Sequence, residues 1–154
     1  MEIRRIAVVG FGHVGCGVVE ALEAAPDMEL AGVVLQDDEE IRRACCCLSA
    51  PVVKDLGDLG RVDAALLAVP SRCVPELAPP ILEKGIATVD CYDIHGESLM
   101  QLRSDLDRIA KEHHTVAVLS AGWDPGTDSV VRTLMEILLP RGITYTNFGP
   151  GMSM

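Results

Sequence analysis

The apolar run Ile6-Ala7-Val8-Val9, followed at once by Gly10-Phe11-Gly12-His13-Val14-Gly15, constrains this chain more than any other feature. A strand that ends in a glycine turn and opens a helix brings backbone N–H groups and the positive end of a helix dipole to one point, which suits a pyrophosphate. The three glycines have separate tasks. Gly10 allows the turn, Gly12 leaves room for the diphosphate to approach the backbone, and Gly15 lets the helix lie close against the strand. The segment reads as a dinucleotide site with NAD or NADP as the cofactor, and His13, inside the loop, is a candidate phosphate contact beside the alternative of a solvent-facing turn residue.

The rest of the chain alternates strands and helices, which implies a Rossmann-type doubly wound parallel sheet of the α/β class. Strands are expected at Arg4–Val9, Met28–Leu35, near Val52, Val62–Val69, Ala87–Asp90 and Thr115–Leu119. Helices are expected at Val14–Ala24, Glu39–Cys47, Val74–Glu83 (short or kinked by Pro79-Pro80), Ser98–His114 and Asp128–Leu139. Leu99, Leu102, Leu106 and Ile109 recur at helical spacing and predict one stripe against the sheet. After residue 140 the alternation of Ile143–Phe148 predicts a strand with one exposed face. The expected organisation is a dinucleotide-binding domain over 1–140 and the first strand of a second domain over 141–154, the front half of a longer design.

Nearly half of the 154 residues are hydrophobic and few are aromatic, so the core must be aliphatic, as in a parallel sheet covered on both faces. The net charge of −10 repels phosphate backbones, so nucleic-acid partners are not expected. No apolar stretch approaches the roughly 20 residues of a membrane span and the N-terminus does not read as a signal peptide, which together point to the cytoplasm. The cysteines at 16, 45, 46, 47, 73 and 91 contain no Cys-x-x-Cys pair, so no metal site is expected. Cys45-Cys46-Cys47 read as small apolar residues without a role.

Ligands of an open α/β sheet bind beyond the carboxyl ends of its strands. Two polar clusters join the glycine loop there: Asp90-Cys91-Tyr92-Asp93-Ile94-His95 and Trp123-Asp124. Asp93 and Asp124 can meet around one cationic group such as a substrate ammonium, with Trp123 as a wall. Equally, Asp93 can cap the following helix and Asp124 can form an Asx-turn before Pro125. His113-His114 at a helix end read as charge–dipole partners.

With these residues in view the chain resembles the meso-diaminopimelate D-dehydrogenases. The resemblance rests on the glycine loop, Pro26-Asp27-Met28-Glu29-Leu30, Val89 to His95, Ser120 to Ser129 and Tyr145 to Met154, running the whole length. It implies NADP-dependent, reversible oxidative deamination at the D-centre of a diamino diacid. It further implies that Asp93 and Asp124 engage the amino-acid end of the substrate, that Trp123, Phe148 and Met154 line the pocket, and that Val69-Pro70-Ser71 and Tyr92 contact the cofactor. His95 belongs to the same motif as a supporting hydrogen-bonding residue. Family members continue into a dimerisation and substrate domain, which implies a homodimer at full length; the group that does the chemistry is not assigned.

One turn departs from the family. Where basic residues usually grip the 2′-phosphate of NADP, this chain has Gln36-Asp37, and an acidic side chain there favours a ribose diol and therefore NAD. Arg42 and Arg43 lie near enough in sequence to compensate. Two other readings share the glycine loop: a stand-alone NAD(P)-binding or regulatory module without turnover, and a dihydrodipicolinate-reductase-like enzyme, which would not require Asp93 and Trp123-Asp124 together.

Overall fold

The computed structural model describes residues 2–122 and 126–142, and the chain divides into two compact units, Met1–Ala121 and Gly122–Met154. The first unit opens with β1 (Arg4–Val9), α1 (His13–Ala24), β2 (Met28–Val34), α2 (Asp38–Cys47) and β3 (Val52–Val53). It continues with β4 (Ala64–Leu67), α3 (Val74–Leu82), β5 (Ala87–Asp90), α4 (Glu97–Glu112) and β6 (Ala117–Val118). The strands are all parallel, in the order β3-β2-β1-β4-β5-β6. The chain therefore winds outward from β1 to one edge and returns to the other side of β1 to wind outward again. The crevice at that reversal, between the ends of β1 and β4, is where a ligand of such a sheet is held. This is the doubly wound Rossmann architecture expected from the sequence.

The period-two alternation along β1 explains how both sheet faces become covered. Ile6 and Val8 join Val19, Leu22, Val33, Leu35 and Ala44 under α1 and α2. Ala7 and Val9 point the other way, into a larger cluster with Ala65, Leu67, Val74, Ala78, Leu82, Leu102 and Leu106 under α3 and α4. Ala7 and Val8 are fully buried, as aliphatic side chains of a central parallel strand should be.

β1 and β5 have the expected bounds, and most other elements differ by one or two residues. β4 and β6 are shorter than expected, four and two residues. Two short 3₁₀ turns, Leu56–Leu59 and Ser71–Cys73, were not anticipated. α3 persists through Pro79 and Pro80. The expected α4 stripe is present, with Leu102, Leu106 and Ile109 buried and Leu99 packed against the same cluster. Cys45, Cys46 and Cys47, read as small apolar residues without a role, are all exposed on α2, whose buried residue is Ala44.

In the second unit α5 spans Thr127–Leu138, its start fixed by a Gly126 N–H to Ser129 Oγ bond of 3.2 Å and an Asp128–Arg132 ion pair of 3.0 Å. The strand expected over Ile143–Phe148, and with it the second domain expected from residue 141, lies outside the described residues. Among the described residues no helix is long and apolar enough to cross a membrane.

Candidate nucleotide and substrate site

The glycine loop is shaped by what a side chain would meet there. Gly10 has φ +93°, and a Cβ on it would collide with the carbonyl oxygen of Ala68 and lie 3.1 Å from Val69 Cγ1. A Cβ on Gly15 would collide with the Gly10 carbonyl, so the helix can approach the strand only without one. Gly12 is different: nothing lies within 4 Å of its Cβ position. The space above Gly12 is open at the N-terminus of α1, which has no side-chain cap and no acidic residue in its first turn. Its first N–H groups therefore have no intrahelical partner and no competing side chain, the arrangement that suits a diphosphate. The residues present thus fit a dinucleotide.

Beside this loop a cleft of about 430 Å³ runs along the ends of β1 and β2 toward α3. It is lined among others by Gly10, Gln36, Asp37, Lys54, Val69 and Lys84. The fold therefore brings four sequence-identified cofactor candidates, Gly10, Gln36, Asp37 and Val69, into one cavity. Phe11 packs on the α1 side of the sheet, while His13 and Val14 are exposed at the start of α1.

Asp37 does more than face this cleft. Its Oδ1 accepts the backbone N–H groups of Glu39 and Glu40, both at 2.9 Å, and so caps α2. Those hydrogen bonds hold its carboxyl below the usual carboxylate range, with the charges of Arg43 and Arg42 contributing less. Arg43 is paired with Glu39 at 3.0 Å, and Arg42 is exposed on the same helix. Sequence reading missed Lys54, which reaches the cleft from the end of β3. Its ammonium lies 2.7 Å from Asp38 Oδ1, and its carbonyl accepts from Gln36 Nε2 at 2.8 Å.

At the ends of β4 and β5 a second group assembles. Ser71 Oγ donates to Asp93 Oδ1, and Asp93 N–H donates back to Ser71 Oγ at 3.1 Å. Asp93 therefore does not cap the next helix, whose N-cap is Gly96 without a side-chain bond. Its carboxylate is exposed at the carboxyl edge of the sheet, as is His95. Tyr92, the remaining cofactor candidate of this segment, is buried. Its side chain is 5% exposed, within the core under α3 and α4, and borders a groove at the starts of those helices rather than the cleft beside Gly10. The apolar body of the ring is better buried there than left at a polar rim.

Asp90 is the other residue whose importance sequence reading missed. Its side chain is buried, and Oδ1 accepts from Tyr92 N–H at 3.0 Å and Ser120 N–H at 3.1 Å. Its carbonyl accepts from Ala121 N–H at 2.7 Å. One strand-end carboxylate thus braces the loops after β5 and β6. Ser120 sits at φ +60°, a conformation that these two bonds help to hold. Burial, reinforced by the charge of Asp90, pushes the Cys91 thiol up, so Cys91 is no ready nucleophile. Trp123, Asp124, Phe148 and Met154 lie outside the described residues.

Comparison with known proteins agrees with this geometry. Residues 4–91 match the family described as "Oxidoreductase family, NAD-binding Rossmann fold". A meso-diaminopimelate D-dehydrogenase of Bacteroides fragilis is 53% identical over 154 residues, all of this chain and 51% of that protein. The enzyme of the same name from Corynebacterium glutamicum is 33% identical over 97% of this chain and 45% of its own length. The chain thus spans about half the length of the curated relatives it matches. Among solved structures, C. glutamicum DAP dehydrogenase in complex with DAP superposes with a TM-score of 0.71 at 30% identity, over 90% of this chain and 42% of that one. An engineered D-amino acid dehydrogenase bound to NADP+ gives 0.69 at 30% identity, with the same coverage. The resemblance to the meso-diaminopimelate D-dehydrogenases read from the sequence is borne out, and the chain belongs to the oxidoreductase family with the NAD-binding Rossmann fold.

Proposed function

We propose that this chain is the nucleotide-binding part of an oxidoreductase that carries out reversible, NAD(P)-dependent oxidative deamination at the D-centre of meso-2,6-diaminopimelate. The observation that supports this most is the 53% identity to a meso-diaminopimelate D-dehydrogenase across the whole chain, including the Asp93 segment. When bound, the nicotinamide supplies the hydride acceptor. In this reading the α1 N-terminus and Gly12 hold the diphosphate, and Val69-Pro70-Ser71 borders the nucleotide. Asp93 meets the substrate ammonium, jointly with Asp124. Trp123, Phe148 and Met154 complete the pocket wall. Fixing the ammonium matters because the hydrogen at the D-centre must face the acceptor, and orientation of this kind supplies a large part of the rate.

We read the ribose end of the cleft as suited to NAD. The α2-capping Asp37 brings negative charge to the cleft beside Gly10, which disfavours a 2′-phosphate, and Arg43 pairs with Glu39. The reading also takes the second domain to begin at residue 141 and the full-length protein to be a cytoplasmic homodimer. It is tested by following reduction of NAD+ and NADP+ by the full-length protein with the D,D-, L,L- and meso-isomers of diaminopimelate. Oxidation of the meso- and D,D-isomers but not the L,L-isomer, lost in Asp93→Ala, is expected. Equal oxidation of all three isomers, or full activity in Asp93→Ala, would overturn the assignment.

A further inference from the structure

The Ser71 hydroxyl both donates to and accepts from one neighbour. A serine hydroxyl has a single hydrogen, and here it goes to Asp93 Oδ1, while the same oxygen accepts the Asp93 backbone N–H at 3.1 Å. Among the described residues Ser71 is the hydrogen-bond partner that holds the Asp93 side chain, and it does so at one oxygen, Oδ1. Asp93 itself is exposed, so without this bond its carboxylate would be free to turn about its side-chain torsions.

Ser71 is in turn part of a hydrogen-bonded turn beside the glycine loop. It opens the 3₁₀ turn Ser71–Cys73, closed by Cys73 N–H to the Pro70 carbonyl at 2.8 Å, which runs directly into α3. Two residues earlier, Val69 packs against Gly10 and lines the nucleotide cleft. The chain from Val69 to Ser71 therefore touches the glycine loop at one end and the Asp93 carboxylate at the other.

We propose that Ser71 is a positioning residue that fixes the rotamer of Asp93 and ties it to the nucleotide loop, so that binding of nucleotide and of amino substrate are coupled through this hydroxyl. The proposal rests on the reading of Asp93 as the group that meets the substrate ammonium. It differs from the expected role of Ser71 as a cofactor contact. The hydroxyl hydrogen is spent on Asp93, so toward a nucleotide the side chain retains only acceptor capacity.

The test compares Ser71→Ala, Ser71→Thr and Asp93→Ala in the full-length protein with meso-diaminopimelate and NAD+, together with hydrogen exchange of the Asp93 amide. Ser71→Ala should lower kcat/KM for the amino substrate about tenfold, a larger factor than any change in the nucleotide Kd measured without amino substrate. It should also abolish the tightening of nucleotide binding by amino substrate and deprotect the Asp93 amide. Ser71→Thr, which keeps the hydroxyl, should restore most of each property. Weakened nucleotide binding with unchanged amino-substrate kinetics would mark Ser71 as a cofactor ligand and overturn the proposal. Impaired turnover in Asp93→Ala with wild-type behaviour in Ser71→Ala would overturn the proposal alone. Unchanged kinetics in Asp93→Ala would overturn the substrate reading and the proposal with it.

Discussion

At Gly10 an added methyl group would meet the Ala68 carbonyl on a backbone already at φ +93°, whereas at Gly12 it would meet nothing within 4 Å. The two glycines of one loop therefore fail in different ways. Gly10→Ala should destabilise the fold by about 2–4 kcal/mol, from left-handed strain plus overpacking against backbone, read as a lower urea midpoint. An unchanged midpoint would mean the turn is not held as described. Asp37 tests the ribose end of the cleft. Asp37→Arg should move the ratio of NAD+ to NADP+ dissociation constants toward NADP+ by about tenfold or more, since a guanidinium can pair with the 2′-phosphate that the carboxylate repels. Strong NADP+ selectivity in the unmodified chain would assign the phosphate contact to another cation, with Lys54, on the rim of the same cleft, the first to examine.

Among the elements, α2 depends on Asp37 for its start, and this has a pH signature. The folded-state pKa of Asp37 is lowered, chiefly by the N–H bonds from Glu40 and Glu39. The ionised cap therefore contributes fully above the unfolded aspartate value near pH ~4, and its contribution is lost as the pH falls through the lower folded value. Amide exchange at Glu39 and Glu40, corrected for intrinsic rates, should stay slow at pH 6 and speed up selectively in acid. Asp37→Asn should remove that acid step while keeping part of the cap. A step of the same size in Asp37→Asn would assign it to another group. The elements themselves were legible where local signals agreed: β1 is a continuous apolar run ended by glycine, and α4 carries its stripe at helical spacing. α3 contradicts its own propensity, and burial of Val74, Ala78, Ile81 and Leu82 outweighs the two prolines. The turn Leu56–Leu59 has no periodicity from which it could have been read; its leucines are buried only because the fold brings β2 and β3 over them. The Ser71–Asp93 and Asp90–Ser120 bonds span 22 and 30 residues. They depend on which strands become neighbours, and no local pattern encodes that.

Across the whole molecule, the order β3-β2-β1-β4-β5-β6 puts the glycine turn after β1 next to Val69 and Ser71 after β4, and these next to Asp93 after β5. The cleft beside Gly10 and the exposed Asp93 carboxylate thus share one edge of the sheet. Because the relatives are about twice as long, and the family resemblance assigns most contacts to the far carboxylate of the substrate to their second domain, residues 1–154 assayed alone should bind nucleotide with negligible turnover. Orientation of the reacting carbon can account for about 7–11 kcal/mol of a barrier, and a substrate held at one end would pivot. Robust oxidation of meso-diaminopimelate by this polypeptide, with its mass confirmed, would contradict that expectation. The central claim, that the loop from Gly10 to Gly15 holds a nicotinamide dinucleotide, is tested most directly by calorimetric titration of NAD+ and NADP+ into this chain and its Gly12→Val variant. The account predicts saturable binding to the unmodified chain, and a loss of tenfold or more in a variant whose thermal unfolding is nearly unchanged, because the new side chain enters open space needed by the diphosphate. Equal affinity in a folded Gly12→Val protein would contradict it.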